Sequence, residues 1–282
     1  MGFLEMEKMK GEEKVEQITI GRVAFMVTER CNLKCRLCAP MSPHWKNTKD
    51  ISFDRLKESL KKLFTFTARV EKFSIGGGGE PFLAKNLTEF LELLVQYEDH
   101  VEKVDIVTNG TIVPGERLLG ALARFQNMLV IVDDYGTGVS RKFEECCNAL
   151  EDAGIPVERR ENNKEQSHYD GWFDMREVLM SPRGIDQTKE IFKSCIFSHD
   201  LRCNVVYDGK IYPCSRAVAF HKLEQIPEEN NLYVDLFREE KSMEEIRNEM
   251  VEHLQADFFP ACAFCVGGLR THQRHVPAEQ MK

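Results

Sequence analysis

The sequence has no apolar run approaching the roughly 20 residues that span a bilayer, and its start, MGFLEMEKMKGEEK, has no signal-peptide core. Those absences lead us to expect a cytoplasmic protein without a membrane partner. Basic charge is not in excess either. The net charge is -8 at pH 7, which argues against a nucleic-acid partner held by phosphate neutralisation. Internal repeats and low-complexity tracts are absent. Wholesale disorder is excluded because 42% of the 282 residues are hydrophobic, enough for one large domain or a main domain with an appendage. Cysteine is too sparse for a disulfide scaffold, and a cytoplasmic chain would not keep disulfides.

The ten cysteines are nevertheless unevenly placed. Cys31, Cys35 and Cys38 form one group, Cys146 and Cys147 an adjacent pair, and Cys195, Cys203, Cys214, Cys262 and Cys265 a late group. Two separated groups in a reducing compartment suggest metal or cluster binding.

From Arg22 onward two periods alternate. RVAFMVTE, VEKFSI, VEKVDIVT, MLVIV and IPVERR are strand candidates. Between them ISFDRLKESLKKLF, NLTEFLELLVQY and ERLLGALARF carry apolar residues at helical spacing, and Ser140 is the expected cap of a helix that Gly154 ends. Strands alternating with helices imply parallel units whose strand C-terminal ends carry the chemistry. The cysteine triplet, GGGGEP, TNG and DDYG follow strands one to four in turn. After residue 160 the regularity stops, in ENNKEQSHYDGWFDMREVLMSPRG. CNVVYDGKIYPC then predicts a hairpin turning at Asp208-Gly209, and Ser242 with Glu245 a capping box. Cys146 and Cys147 fall mid-helix and are expected to be core thiols.

CNLKCRLC, from Cys31 to Cys38, has the spacing C-x3-C-x2-C. Three thiolates can wrap three corners of a cubane and leave one iron open, as a catalytic centre requires. The plainer alternatives are a zinc site completed by His44, or three buried thiols. The glycine run alone is weak, since it lacks the Lys-Ser/Thr of a phosphate loop.

The triplet after strand one, with GGGGEP and TNG after the next two strands, resembles the radical S-adenosylmethionine enzymes over roughly residues 20 to 160. That resemblance implies an α/β fold: a partial (β/α)6 barrel with a small C-terminal α+β cluster-binding domain. It implies S-adenosylmethionine on a [4Fe–4S] cluster held by Cys31, Cys35 and Cys38. Gly77, Gly78, Gly79 and Glu80 would line the methionine end, and Thr108, Asn109 and Asp133 the methionine or ribose. The residue before the third cysteine, usually aromatic in the family, is Leu37 here.

The late cysteines resemble the twitch module, a shortened SPASM domain with one auxiliary [4Fe–4S] cluster. The family pattern nominates Cys195, Cys214, Cys262 and Cys265 as ligands. Hairpin register nominates another candidate, because a two-residue turn puts Cys203 opposite Cys214, within ~5.5 Å at Cβ. Cys203 would then replace Cys195 or remain free beside the substrate as a hydrogen-atom donor. A structural zinc knuckle is the alternative for this group. The expected division is a flexible segment 1–18, a core 19–185 and an auxiliary domain 186–282.

The resemblance extends to 2-deoxy-scyllo-inosamine dehydrogenase-like enzymes. It implies an oxidoreductase that makes a 5′-deoxyadenosyl radical, removes hydrogen from a carbohydrate-like small molecule and passes an electron to the second cluster. Flavodoxin or ferredoxin would be the reducing partner. A peptide-modifying maturase or epimerase is the runner-up, and a non-catalytic iron–sulfur or zinc protein a third possibility. Substrate contacts are expected from Tyr169 and Arg216, with Cys203, and from His168, Asp170, Trp172 and Asp174. The alternative for that segment is an ordinary solvated loop.

Overall fold

The computed structural model describes residues 16–162, 170–230 and 233–282. Five strands alternating with four helices come first. They comprise strands β1 (Ile18–Phe25), β2 (Thr67–Ile75), β3 (Val101–Thr108), β4 (Met128–Asp134) and β5 (Val157–Glu161). The helices between them are α1 (Phe53–Phe66), α2 (Leu87–Leu94), α3 (Glu116–Leu122) and α4 (Phe143–Asp152). Then follow α5 (Ile185–Lys193), β6 (Asn204–Tyr207), β7 (Lys210–Tyr212), α6 (Ser215–Lys222), β8 (Val234–Asp235) and α7 (Met243–Gln255).

The apolar stripes fold as their spacing dictates. In α1, Leu56, Leu60 and Leu63 are buried on one face, and the Ser52 side chain caps the helix by accepting from Arg55 N. Burial of each such leucine contributes about 1.5–3 kcal/mol. Across the interior Phe25 stacks on Phe73 and Phe90, tying β1, β2 and α2 together.

The eight strands among the described residues form one sheet in the order β5-β4-β3-β2-β1-β6-β7-β8. The first six are mutually parallel, giving an open, partial (β/α)6 barrel. The sixth parallel strand is β6, paired through Val23↔Asn204 and Phe25↔Val206, and it is also the first strand of the expected hairpin. Among the described residues the sheet therefore runs on past residue 185. The hairpin turns at Asp208 and Gly209, both with positive φ, as a two-residue turn with this twist requires.

Two local expectations change. The first strand begins at Ile18, because ITI already pairs with Thr67–Val70, and Gln17 donates to Phe64 O. Ser140 does not cap α4, whose N-cap is Lys142. Its buried hydroxyl instead has its single proton within reach of Asn109 O at 2.8 Å and Asp133 O at 3.0 Å, tying the loops after β3 and β4 together. Cys146 and Cys147 are core residues, as expected. Among the described residues no helix is long and apolar enough to cross a membrane.

Candidate functional site

Loops after β1, β2 and β3 are zipped together at the C-terminal edge of the sheet. Gly79 N donates to Thr28 O and Glu80 N to Arg30 O. A Cβ at Gly79 would sit 2.0 Å from Arg30 O, so only glycine permits this approach. Arg30 grips Asp50 with Nε and Nη2, each at 2.9 Å. Glu29, its side chain wholly buried, accepts from Tyr207 OH at 2.6 Å and Lys222 Nζ at 3.0 Å. These contacts set the course of the chain into CNLKCRLC.

Each sulfur of that loop has a polar neighbour. Asn109 Nδ2 lies 4.0 Å from Cys31 Sγ, Gln280 Nε2 donates to Cys35 Sγ at 3.2 Å, and Ser42 Oγ is 3.3 Å from Cys38 Sγ. Burial pushes the Cys31 thiol up to about 11 and Cys35 up to about 12, and it raises Cys38. Negative charge on Cys38 would further raise both of the others, so the three sulfurs sense one another.

Beside Cys38 lies a central cavity of about 390 Å³, walled by Leu37, Gly76 to Gly79, Asp133, Tyr135, Trp172 and Cys203 among others. Asp133 accepts from Asn162 Nδ2 at 2.7 Å and Tyr135 OH at 3.1 Å, and burial raises its pKa. Tyr135 meets Trp172 edge to face at 5.6 Å. The chain did not announce Tyr135 as a site residue, although DDYG marked its strand end.

Glu80, Thr108 and Asn109 do not line this cavity. They bind one another instead: Glu80 accepts from Thr108 Oγ1 at 2.7 Å, Asn109 N at 2.8 Å and Phe82 N at 3.1 Å. Burial holds the Glu80 carboxyl up at about 7 despite those donors. The three residues brace the loops on which the cysteines and glycines sit.

Cys195, Cys214, Cys262 and Cys265 line a second pocket together, with Arg216 and Gly267–Gly268. Gly268 N donates to Cys195 Sγ at 3.4 Å and Gly267 N to Cys265 Sγ at 3.3 Å. Sequence reasoning missed those glycines, though they follow CAFC by one residue. Burial pushes Cys214 up to about 12 and raises Cys262 and Cys265. Met175 and Phe197 belong to the walls of both pockets. Among the described residues no three His, Cys, Asp or Glu side chains converge tightly enough to hold a single metal ion.

Of the two places open to Cys203, the structure shows the one away from the four cysteines, and Arg216 is not at the central cavity, where a substrate contact is expected. Cys203 lines the central cavity and is absent from the four-cysteine pocket. Arg216 lines the four-cysteine pocket and not the central cavity, because α6 starts at Ser215 and turns its side chain inward. There it donates to Arg176 O at 3.2 Å and packs on Phe220 at 4.6 Å. Burial lowers its pKa while the charges of Cys265 and Cys214 raise it. Asp170 is exposed, and Asp174 is committed to Arg176 at the surface. Tyr169 and His168 lie outside the described residues.

Comparison with known proteins places this geometry. Residues 25–158 match the model of the Radical SAM superfamily. Over 93 residues the chain is 34% identical to a GTP 3′,8-cyclase of Campylobacter jejuni subsp. doylei and 37% identical to one of Helicobacter pylori. That match takes in 32% of this chain, which spans only 28% of the length of those relatives. Among solved structures, BtrN in complex with AdoMet and 2-DOIA superposes on 94% of this chain and 100% of its own, with TM-score 0.51 and 20% identity. Native anSMEcpe with bound AdoMet superposes on 81% of this chain and 82% of its own, with TM-score 0.51 and 14% identity. At such identities the two structures speak for the fold alone. The strand-end cysteine triplet and the glycine run both fall within the stretch 25–158 that is similar to the Radical SAM superfamily, a family whose chemistry implies S-adenosylmethionine and a [4Fe–4S] cluster.

Proposed function

We propose that Cys31, Cys35 and Cys38 hold a [4Fe–4S] cluster, that S-adenosylmethionine binds in the adjoining cavity, and that Cys195, Cys214, Cys262 and Cys265 hold a second [4Fe–4S] cluster. The chain is then an oxidoreductase acting on a small, polar, sugar- or aminocyclitol-like molecule. The carrying observation is that the four-cysteine pocket shares Met175 and Phe197 with the cavity that Cys38 lines. An electron leaving a substrate in that cavity has a short way to the second site.

The donor sets fit the groups. Three thiols within eight residues leave one cluster corner without a protein ligand, and four thiols around a pocket supply a closed set. Arg216 places a buried cation among thiols that must give up their protons to bind iron, lowering the cost of that charge. When bound, the first cluster supplies the electron that cleaves S-adenosylmethionine to a 5′-deoxyadenosyl radical, chemistry that no side chain can initiate.

The protein's own part is to bind and orient. Asn109, Gln280 and Ser42 fix the three sulfurs. Leu37 and Trp172 give apolar surface for flat groups, and Asp133 with Tyr135 offers paired hydrogen-bonding atoms on the cavity wall.

The match to GTP 3′,8-cyclases favours a nucleotide as a second possible substrate. The cavity's charge opposes it: Arg22 and Asp133 are the charged side chains among its described lining residues. A triphosphate calls for several cationic donors.

The test is iron and sulfide content of anaerobically reconstituted protein beside a Cys31/Cys35/Cys38→Ala variant, with 5′-deoxyadenosine assayed after reduction. Two cubanes predict about eight irons in the parent and about four in the variant, with deoxyadenosine from the parent alone. Zinc in the late cysteines would remove the electron acceptor and with it the oxidation. No deoxyadenosine from the parent would remove the enzyme reading.

A further inference from the structure

Residues 278–281 lie far along the chain from the cysteine loop, Gln280 245 positions beyond Cys35, yet they pair with it directly. Arg36 N donates to Glu279 O at 2.7 Å, Met281 N donates to Lys34 O at 2.8 Å, and Cys35 and Gln280 form an antiparallel bridge. The Arg36 guanidinium closes on Glu279 Oε2. Ala278 is buried with φ of 52°, a left-handed turn that costs a non-glycine residue about 1–2 kcal/mol and persists only where its surroundings enforce it.

The Gln280 amide is held at three points. Its Oε1 accepts from Lys34 N at 2.7 Å, and its Nε2 donates to Ala278 O at 2.6 Å and to Cys35 Sγ at 3.2 Å. This pattern fixes which end of the amide faces the sulfur. Lys34 N–H can be met only by an oxygen and Ala278 C=O only by an N–H, so the NH2 group is the end that reaches Cys35. Such a donor withdraws negative charge from a ligating sulfur, and hydrogen bonds to sulfur together with exclusion of solvent set a cluster's potential.

We infer that Gln280 is a positioning residue for the iron–sulfur group ligated by Cys35: its amide donates to the ligand sulfur, raises the cluster's reduction potential and, with residues 278–281, shields the loop from water. This inference rests on the proposed [4Fe–4S] cluster at Cys31, Cys35 and Cys38. It adds a residue that no spacing within the cysteine motif contains. The backbone pairing of residues 279 and 281 does not depend on the Gln280 side chain, so substitution there leaves the segment docked.

Gln280→Glu is the sharpest probe, since it keeps an oxygen for Lys34 N and turns an acceptor, not a donor, towards Cys35. Gln280→Leu removes all three bonds and carries the test if the glutamate variant loses its cluster. In the full chain reconstituted with iron and sulfide, the readouts are an electron-paramagnetic-resonance redox titration of the signal that responds to S-adenosylmethionine, and the rate of iron loss to a chelator. Gln280→Glu should lower the reduced-to-oxidised ratio at a fixed potential by tenfold or more, equivalent to a shift of about 59 mV for one electron. Gln280→Leu should move it less, in the same direction, and both should lose iron faster. Glu279→Ala breaks only the exposed ion pair with Arg36 and should leave the potential in place. Clusters formed at the parent's potential in both Gln280 variants would overturn the inference. Absence of any such cluster from the parent would overturn the proposed function first, a separate result.

Discussion

The two cysteine sets are built in opposite ways. Cys31, Cys35 and Cys38 lie within eight residues, yet two of their sulfurs are met by side chains from remote segments, Asn109 at the end of β3 and Gln280. The second set is spread from Cys195 to Cys265, yet its backbone donors, Gly267 and Gly268, stand beside its own last cysteine. Closeness in sequence therefore says which residues can share a group, not what orients them. The compact loop thus draws two of its three polar neighbours from distant segments of the chain, and only Ser42 is its own. The dispersed set closes a pocket by folding, and the turn after its last cysteine serves both Cys265 and the distant Cys195.

The largest effect should come from breaking one set at a time. Cys35→Ala should abolish deoxyadenosine formation and remove about four irons. Cys262→Ala with Cys265→Ala should also remove about four irons, while S-adenosylmethionine cleavage persists and substrate oxidation stops. Iron content, deoxyadenosine and oxidised product, measured together, separate the sets. A Cys35 variant that still makes deoxyadenosine would reverse the roles given to them.

A mid-sized effect follows from pH, with opposite signs in the two regions. Burial raises Glu80, under the first set, from 4.5 to about 7. A raised folded pKa means stability that is fully present below about 4.5 and lost as pH rises through 7, on the order of 3 kcal/mol. His253 packs on Phe259, three residues before Cys262, and burial lowers it to about 4. Its contribution is present above about 6.5 and is lost as pH falls towards 4, roughly 2 kcal/mol for a ring still partly in water. Between pH 5 and 7.5 the two slopes oppose one another. Anaerobic urea unfolding should therefore show Glu80→Gln gaining stability with pH more steeply than the parent. His253→Gln, which keeps a donor for Asn204 Oδ1, should show the reverse. Equal slopes in all three proteins would end the contrast.

Much of the barrel was legible because its signals are local. VEKVDIVT is β3 from first residue to last, and the apolar stripe of α1 is the one its spacing predicts. The cysteine, glycine and TNG motifs could be placed at strand ends for the same reason. What stayed hidden depends on pairing across the chain. No period in VPAEQMK announces that Gln280 meets Cys35, 245 residues away. Glu80 reads only as a polar residue at a strand end, and its bonds to Thr108 and Asn109 come to light in three dimensions alone. Nor does CNVVY disclose that it completes a parallel sheet begun 180 residues earlier, since a short apolar run fits a hairpin and a barrel equally well.

The smallest expected effect on iron is also the one that sharpens membership of the second set. A continuous hairpin would hold Cys203 opposite Cys214, but the ladder ends at Val205↔Tyr212. Beyond it Arg202 takes a positive φ, Cys203 N donates to Phe197 O at 3.1 Å, and Asn204 Nδ2 ties back to Arg22 O at 3.1 Å. The chain has turned away before Cys203 can face Cys214, which is already the N-cap of α6. The two sulfurs consequently belong to different cavities. Cys203→Ala should keep all the iron of the parent, whereas Cys195→Ala should not. Burial also raises the Cys203 thiol, keeping it protonated near neutral pH and poor as a nucleophile but still able to give up a hydrogen atom. If the reaction is oxidation, Cys203→Ala should leave product formation close to the parent's. If it is epimerisation, the same variant should stop the uptake of solvent deuterium into the product. Loss of iron from Cys203→Ala alone would return this residue to the second set and displace Cys195 from it.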